Sequence, residues 1–97
     1  MKKFTLIAGP CAIEDDITPF KIGKEVKRIC DKLGIDFIFK GSYRKANRSK
    51  LESFTGIGDD IALNILQQIG KDLRVPTITD VHESHEIAHV SKFVDHL

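Results

Sequence analysis

Apolar residues fall along this chain in two rhythms, short unbroken runs and longer stretches at three- and four-residue spacing. Phe4-Thr5-Leu6-Ile7-Ala8-Gly9 is a run of strand formers closed by Gly9-Pro10, and it predicts a buried strand over 4–9. Thr18-Pro19 then offers an N-cap and a first-turn proline. Ile22, Val26, Ile29, Cys30 and Leu33 follow at spacings of 4, 3, 1 and 3, one helical face, and Gly34 stands where a glycine ends a helix. Ile35-Asp36-Phe37-Ile38-Phe39-Lys40 predicts the second strand, over 35–40, and a polar, glycine-bearing loop runs from Lys40 to Gly58. Asp59 is placed to cap a helix whose apolar positions are Ala62, Leu63, Leu66, Ile69 and Leu73. Val75-Pro76-Thr77-Ile78-Thr79 predicts a third strand over 75–79, with its proline at the start, where a missing donor is tolerated. Ser84 can cap a helix over about 85–92, and Phe93-Val94 opens an expected fourth strand near 93.

Strand alternating with helix three times is the pattern of a parallel α/β sheet covered by helices. The polar clusters sit just after the strands: Cys11 after the first, Lys40 to Ser49 after the second, Asp80 and His82 after the third. Ligands bind at that carboxyl edge in barrels and open sheets alike, so the three clusters are expected to converge.

Composition narrows the class of protein. With 97 residues the chain is one small domain, 41% hydrophobic and 30% charged, in the range of ordinary globular proteins. Fifteen lysines and arginines against fourteen acids leave a net charge of +1, which argues against nucleic acid or an anionic membrane as partner. No apolar run approaches the roughly 20 residues needed to span a bilayer. The start, Met1-Lys2-Lys3-Phe4, passes straight into a strand, so no signal peptide is expected. The two cysteines, Cys11 and Cys30, then read as thiols of a reducing compartment, the cytoplasm.

Four groups of residues carry candidate chemistry. Lys40, Lys45, Asn47, Arg48 and Ser49 place two ammonium groups, a guanidinium, an amide and a hydroxyl within ten residues, a set suited to holding a phosphate and a carboxylate. Lys40 ends an apolar strand and is expected to direct its charge into the cleft, whereas Lys50 reads as a solvated cation. Cys11 can be a metal ligand or a nucleophile, although with no second cysteine at ligand spacing the default is a buried, inert thiol; Cys30, on an apolar helix face, reads as core. His85-Glu86-Ile87-Ala88-His89 matches the H-E-x-x-H zinc-peptidase pattern, but Lys92 stands where longer versions carry a glycine, and a solvated helix face is the plainer reading. Thr55-Gly56-Ile57-Gly58 places two glycines at a helix start, where backbone amides can meet an anion.

Taken together, the blocks Ile7-Ala8-Gly9-Pro10-Cys11-Ala12-Ile13-Glu14, Phe39-Lys40-Gly41-Ser42-Tyr43, Lys45-Ala46-Asn47-Arg48-Ser49 and Thr79-Asp80-Val81-His82-Glu83 resemble the 3-deoxy-D-manno-octulosonate 8-phosphate synthase family over essentially the whole chain. The resemblance implies the first three βα units of a (β/α)8 TIM barrel that condenses phosphoenolpyruvate with D-arabinose 5-phosphate, releases phosphate and serves lipopolysaccharide synthesis. It implies a cytoplasmic homotetramer, and a cysteine in the first block implies the metal-dependent branch, with Cys11 one ligand of a divalent ion. Carried over by position, Lys40 and Lys45 contact substrate, Lys45 near phosphoenolpyruvate. Asn47, Arg48 and Ser49 hold the arabinose 5-phosphate end, the last two across a subunit boundary, and Asp80 bonds sugar hydroxyls.

This sequence departs from the family in three places. Arg44 stands where many members carry aspartate, and Thr55-Gly56-Ile57-Gly58 replaces a commoner Arg-Gly-Pro-Gly. A full barrel takes about 250 residues, so a chain of this length is expected to be incomplete and inactive alone, without the family's other metal ligands or its later phosphoenolpyruvate-binding lysine and arginine. Two other readings stand beside this one: a small zinc peptidase using His85, Glu86 and His89, and a non-catalytic sugar-phosphate or anion-binding module.

Overall fold

The structure, a computed structural model, describes residues 4–43, 59–81 and 83–97. In chain order the elements are β1 (Thr5–Ala8), α1 (Ile17–Leu33), β2 (Asp36–Lys40), α2 (Asp59–Leu73), β3 (Thr77–Ile78), a 3₁₀ turn (Ser84–Glu86) and α3 (Ile87–Val90). The strands form one parallel sheet in the order β1-β2-β3, with Ile7 opposite Ile38, Ala8 opposite Phe39 and Lys40 opposite Ile78. The result is a small α/β unit built from parallel β-α-β crossovers, compatible with part of a (β/α)8 barrel.

Alternation along β2 sorts the sheet into two faces. Phe37 and Phe39 point to the helices, their rings edge-to-face at 6.3 Å, and Phe39 is fully buried. The five apolar positions of α2 read from the sequence, Ala62, Leu63, Leu66, Ile69 and Leu73, are all buried against them. Each fully buried leucine or phenylalanine of this layer contributes about 1.5–3 kcal/mol. Helices approach the sheet closely at two glycines: a Cβ on Gly23 would sit 2.9 Å from the Phe39 ring, and one on Gly70 would sit 2.6 Å from Thr77 Cγ2. The opposite face carries Ile7, Ile38 and Lys40 and has no helix over it among the described residues; Ile7 is half exposed.

Several boundaries differ from the sequence reading. Thr18 lies inside α1 rather than at its cap: Asp16 holds the cap position without a side-chain bond, the carboxylate of the preceding Asp15 accepts from the Ile17 and Thr18 amides at 2.9 and 2.7 Å, and Pro19 falls inside the first turn. A charged oxygen that meets two orphan amides outcompetes a hydroxyl that meets one. Gly34 closes the helix in the left-handed conformation, φ 69°, as expected. On the apolar face of α1 only Cys30 is fully buried, while Ile29 and Leu33 are exposed, because α1 has no described helix on the side away from α2. β3 pairs only over Thr77–Ile78. The helix expected over 85–92 is split into the 3₁₀ turn and one turn of α3, with Glu83 rather than Ser84 at its cap position. Phe93 lies in a turn, and pairing with β3 resumes only at His96, opposite Ile78. Asp95 delays it: its carboxylate accepts from the Thr77 amide at 2.9 Å and so occupies a sheet donor.

Candidate functional site

Three strand ends meet at the carboxyl edge of the sheet. β1 stops at Ala8, but its continuation pairs again, with Ala12 bridging Ser42 and the Ile13 amide donating to the Ser42 carbonyl at 2.9 Å. Gly9 makes that return possible. A Cβ there would lie 1.8 Å from the Lys40 carbonyl oxygen, so only glycine fits. The chain segment that holds Cys11 is thereby pressed against the end of β2.

Three of the candidate residues are among those described. Lys40 ends β2 on the helix-free face, with its side chain exposed. Asp80, just past β3, is half-buried, and its Oδ1 accepts a hydrogen bond from Ser42 Oγ at 2.6 Å. Cys11 is exposed, which corrects the expectation of a buried, inert thiol: the segment after Gly9-Pro10 runs along the rim. It borders a cleft of about 310 Å³ shared with Glu14, Asp15 and Thr18. The structure therefore joins the segments bearing Cys11, Lys40 and Asp80 through Gly9 and the Ala12–Ser42–Asp80 connection. Lys45, Asn47, Arg48 and Ser49, with Arg44 and the Thr55–Gly58 block, lie outside the described residues, as does His82.

Such an edge can do specific chemistry. A lysine on a rigid strand end is a cation whose position costs little entropy to hold, which suits it to a phosphate or carboxylate. An aspartate held in one rotamer by a serine accepts hydrogen bonds from hydroxyl groups in a fixed direction. Sequence reading passed over Ser42 as a functional residue, though it stands inside the Phe39–Tyr43 block; its contact with Asp80 spans 38 positions and leaves no local signal.

A second polar cluster involves the H-E-x-x-H residues. Glu86 accepts a hydrogen bond from the Tyr43 hydroxyl, and His89 Nε2 lies 2.7 Å from Asp60 Oδ1. No group of three or more histidines, cysteines, aspartates or glutamates arranged to hold a metal ion is found among the described residues. The zinc-peptidase reading of His85, Glu86 and His89 gains no support, since Glu86 and His89 are engaged elsewhere. On the solvent side of α1, hydrogen bonds from Arg28, then its charge, hold the Glu25 carboxyl below its usual range, and the same contacts hold the Arg28 guanidinium above its own. The larger cleft, about 620 Å³, opens at the other end of β3, between Arg74, Pro76 and Lys92.

Parallel βα units that carry Lys40 and Asp80 at the carboxyl ends of their strands define a small α/β unit with charged groups at that edge. Comparison with known proteins makes the assignment particular. Residues 1–97 match the family model described as the DAHP synthetase I family, and the chain belongs to that family. It is 50% identical over 94 residues to a 2-dehydro-3-deoxyphosphooctonate aldolase of Delftia acidovorans, covering 97% of this chain and 33% of that protein. It is 46% identical over 92 residues to the protein of that name from Acidithiobacillus ferrooxidans, covering 95% of the chain and 33% of the relative. The Synechococcus protein of the same name is 42% identical over 91 residues, 94% of the chain and 32% of the relative. The chain thus spans about a third of the length of the curated relatives it matches. No helix among the described residues is long and apolar enough to cross a membrane.

Proposed function

We propose that the chain carries the first three βα units of a (β/α)8 barrel, and that the whole protein is a 3-deoxy-D-manno-octulosonate 8-phosphate synthase. It would join phosphoenolpyruvate, D-arabinose 5-phosphate and water, and release inorganic phosphate. The observation that carries this reading is the 42–50% identity, across nearly the whole chain, to proteins named for that eight-carbon sugar phosphate. The geometry at the strand ends supports it, because two anionic substrates in one cleft need fixed cations.

In this reading the Lys40 ammonium offsets substrate charge from a rigid position, and Lys45 lies near phosphoenolpyruvate. Asn47, Arg48 and Ser49 take the phosphate end of the sugar, Arg48 and Ser49 reaching across a subunit boundary of a cytoplasmic homotetramer. Asp80, steadied by Ser42, accepts hydrogen bonds from the sugar hydroxyls. The described residues do not themselves make a metal centre. Cys11 is an exposed thiol at the rim and supplies one donor, so we assign it as a single ligand of a divalent ion completed by groups outside those residues.

The test joins this chain to the remaining two-thirds of the Delftia acidovorans relative and measures phosphate release from the two substrates. Turnover is expected for the joined protein and not for the 97-residue chain alone. Lys40→Ala should lower kcat/KM by about 100-fold or more. A folded joined protein that turns over neither substrate would overturn the assignment, turnover untouched by Lys40→Ala would overturn the role given to Lys40, and turnover by the short chain alone would show only that the first three units suffice.

A further inference from the structure

The end of the sheet opposite the candidate site has its own cleft, about 620 Å³ in volume, within the roughly 300–1,000 Å³ of small-molecule sites. The end of α2, the start of β3 and the turn after α3 bound it. Lys71, Arg74 and Lys92 line it, and Asp95 is the one carboxylate among its described lining residues. None of the three cations forms an ion pair with a described residue. The Asp95 carboxylate already accepts from the Thr77 amide and hydroxyl, at 2.9 and 3.3 Å. Half-buried Val75 and Phe93 give the cleft an apolar side.

Two of the cations have a plain structural account. Lys71 lies in the last turn of α2, where a positive charge offsets the helix dipole, and Lys92 is exposed in a turn. Arg74 has none. It is held at φ 57°, a left-handed conformation that glycine takes freely, as Gly34 does at the end of α1. An arginine kept there against backbone strain, lining a cleft, points to a use for its guanidinium. Three cations against one carboxylate leave a surplus of two, which matches a dianion. A guanidinium fork with ammonium groups beside it suits the three oxygens of a phosphate group. The bridge of His96 to Ile78 is parallel, so the strand direction carries the chain away from this cleft, toward the carboxyl edge.

We infer that the cleft is a binding site for a phosphate monoester, its phosphate held by Arg74, Lys71 and Lys92 and its organic part set against Val75 and Phe93. The site uses none of the residues assigned to the synthase reaction, and it stands or falls apart from that reading.

Phenyl phosphate is the probe, titrated calorimetrically into the full chain at low salt beside inorganic phosphate. Phenyl phosphate should bind at least about fivefold more tightly than inorganic phosphate, because its ring covers apolar surface. Arg74→Gly and Lys92→Gln should each weaken it about three- to fivefold, and the double variant about tenfold or more. Added sodium chloride should weaken it further, since the cations are exposed. Arg74→Gly relieves the strain, so its urea midpoint should stay at or above the parent's, and its weaker binding is then not a loss of fold. Lys40→Ala, at the other end of the sheet, should leave the Kd within about twofold of the parent. Three results would each overturn the proposal: no binding of phenyl phosphate by the parent chain, full binding by the double variant, or a loss in Lys40→Ala as large as in Arg74→Gly. The last would put the ligand at the carboxyl edge instead.

Discussion

Arg74 is held where an arginine is least at home. It follows α2 directly and adopts φ 57°, the left-handed conformation that glycine takes at the end of α1. A side chain there crowds its own backbone at a cost of about 1–2 kcal/mol, partly offset in glycine by the greater freedom of the unfolded chain. Arg74→Gly should therefore raise stability by about 0.5–1 kcal/mol, read as a higher midpoint in urea unfolding with an unchanged slope. Gly9 is the converse case. Its close contact with the Lys40 carbonyl is invisible in the residue's identity alone, yet it sets where the Cys11 segment runs. The exposure of Cys11 was misjudged for the same reason, since hydrophobic patterning reports burial in regular elements and says little about a chain leaving a strand through Gly-Pro.

At the scale of elements, hydrophobic spacing located α1, α2 and the first two strands to within a residue or two. It worked best for α2, where every apolar position it singled out is buried. Capping was harder to read. Thr18-Pro19 looked like a helix start, but Asp15 and Asp16 precede it, and the carboxylate of Asp15 collects two amides. Asp15→Ala should cost about 1 kcal/mol, against a few tenths at most for Thr18→Ala, with both measured by chemical denaturation of the same chain. A larger loss in Thr18→Ala would show that the hydroxyl governs the helix start. The fourth strand expected near Phe93 reduces to a single bridge at His96, beside a contact between Asp95 and Thr77, 18 positions apart. Apolar residues at Phe93 and Val94 gave no hint of that tie.

For the molecule as a whole, parallel pairing and helices on one face follow from the alternation of strand and helix, and the comparisons place the chain in its family without help from the structure. The candidate site was legible in a different way. Lys40 and Asp80 could be picked out because each follows an apolar strand, and Lys45 through Ser49 because the family's blocks are dense there. What the sequence left unseen are the ties between distant segments, Ser42 to Asp80, Tyr43 to Glu86 and Asp60 to His89, each formed by residues whose types are common on any surface. They also bear on the H-E-x-x-H match: the same letters that suggest a zinc site are, in this fold, partners of Tyr43 and Asp60.

The family's name and its relatives' names point to acceptor sugars of different length, so the product decides between them. The most direct measurement is the mass of the sugar acid made from phosphoenolpyruvate by this chain joined to the rest of a relative's barrel, offered D-arabinose 5-phosphate and a four-carbon aldose phosphate together. The account predicts an eight-carbon phosphorylated acid, formed with one phosphate released per turnover. A seven-carbon acid as the main product, or a folded joined protein that consumes neither sugar, would contradict it.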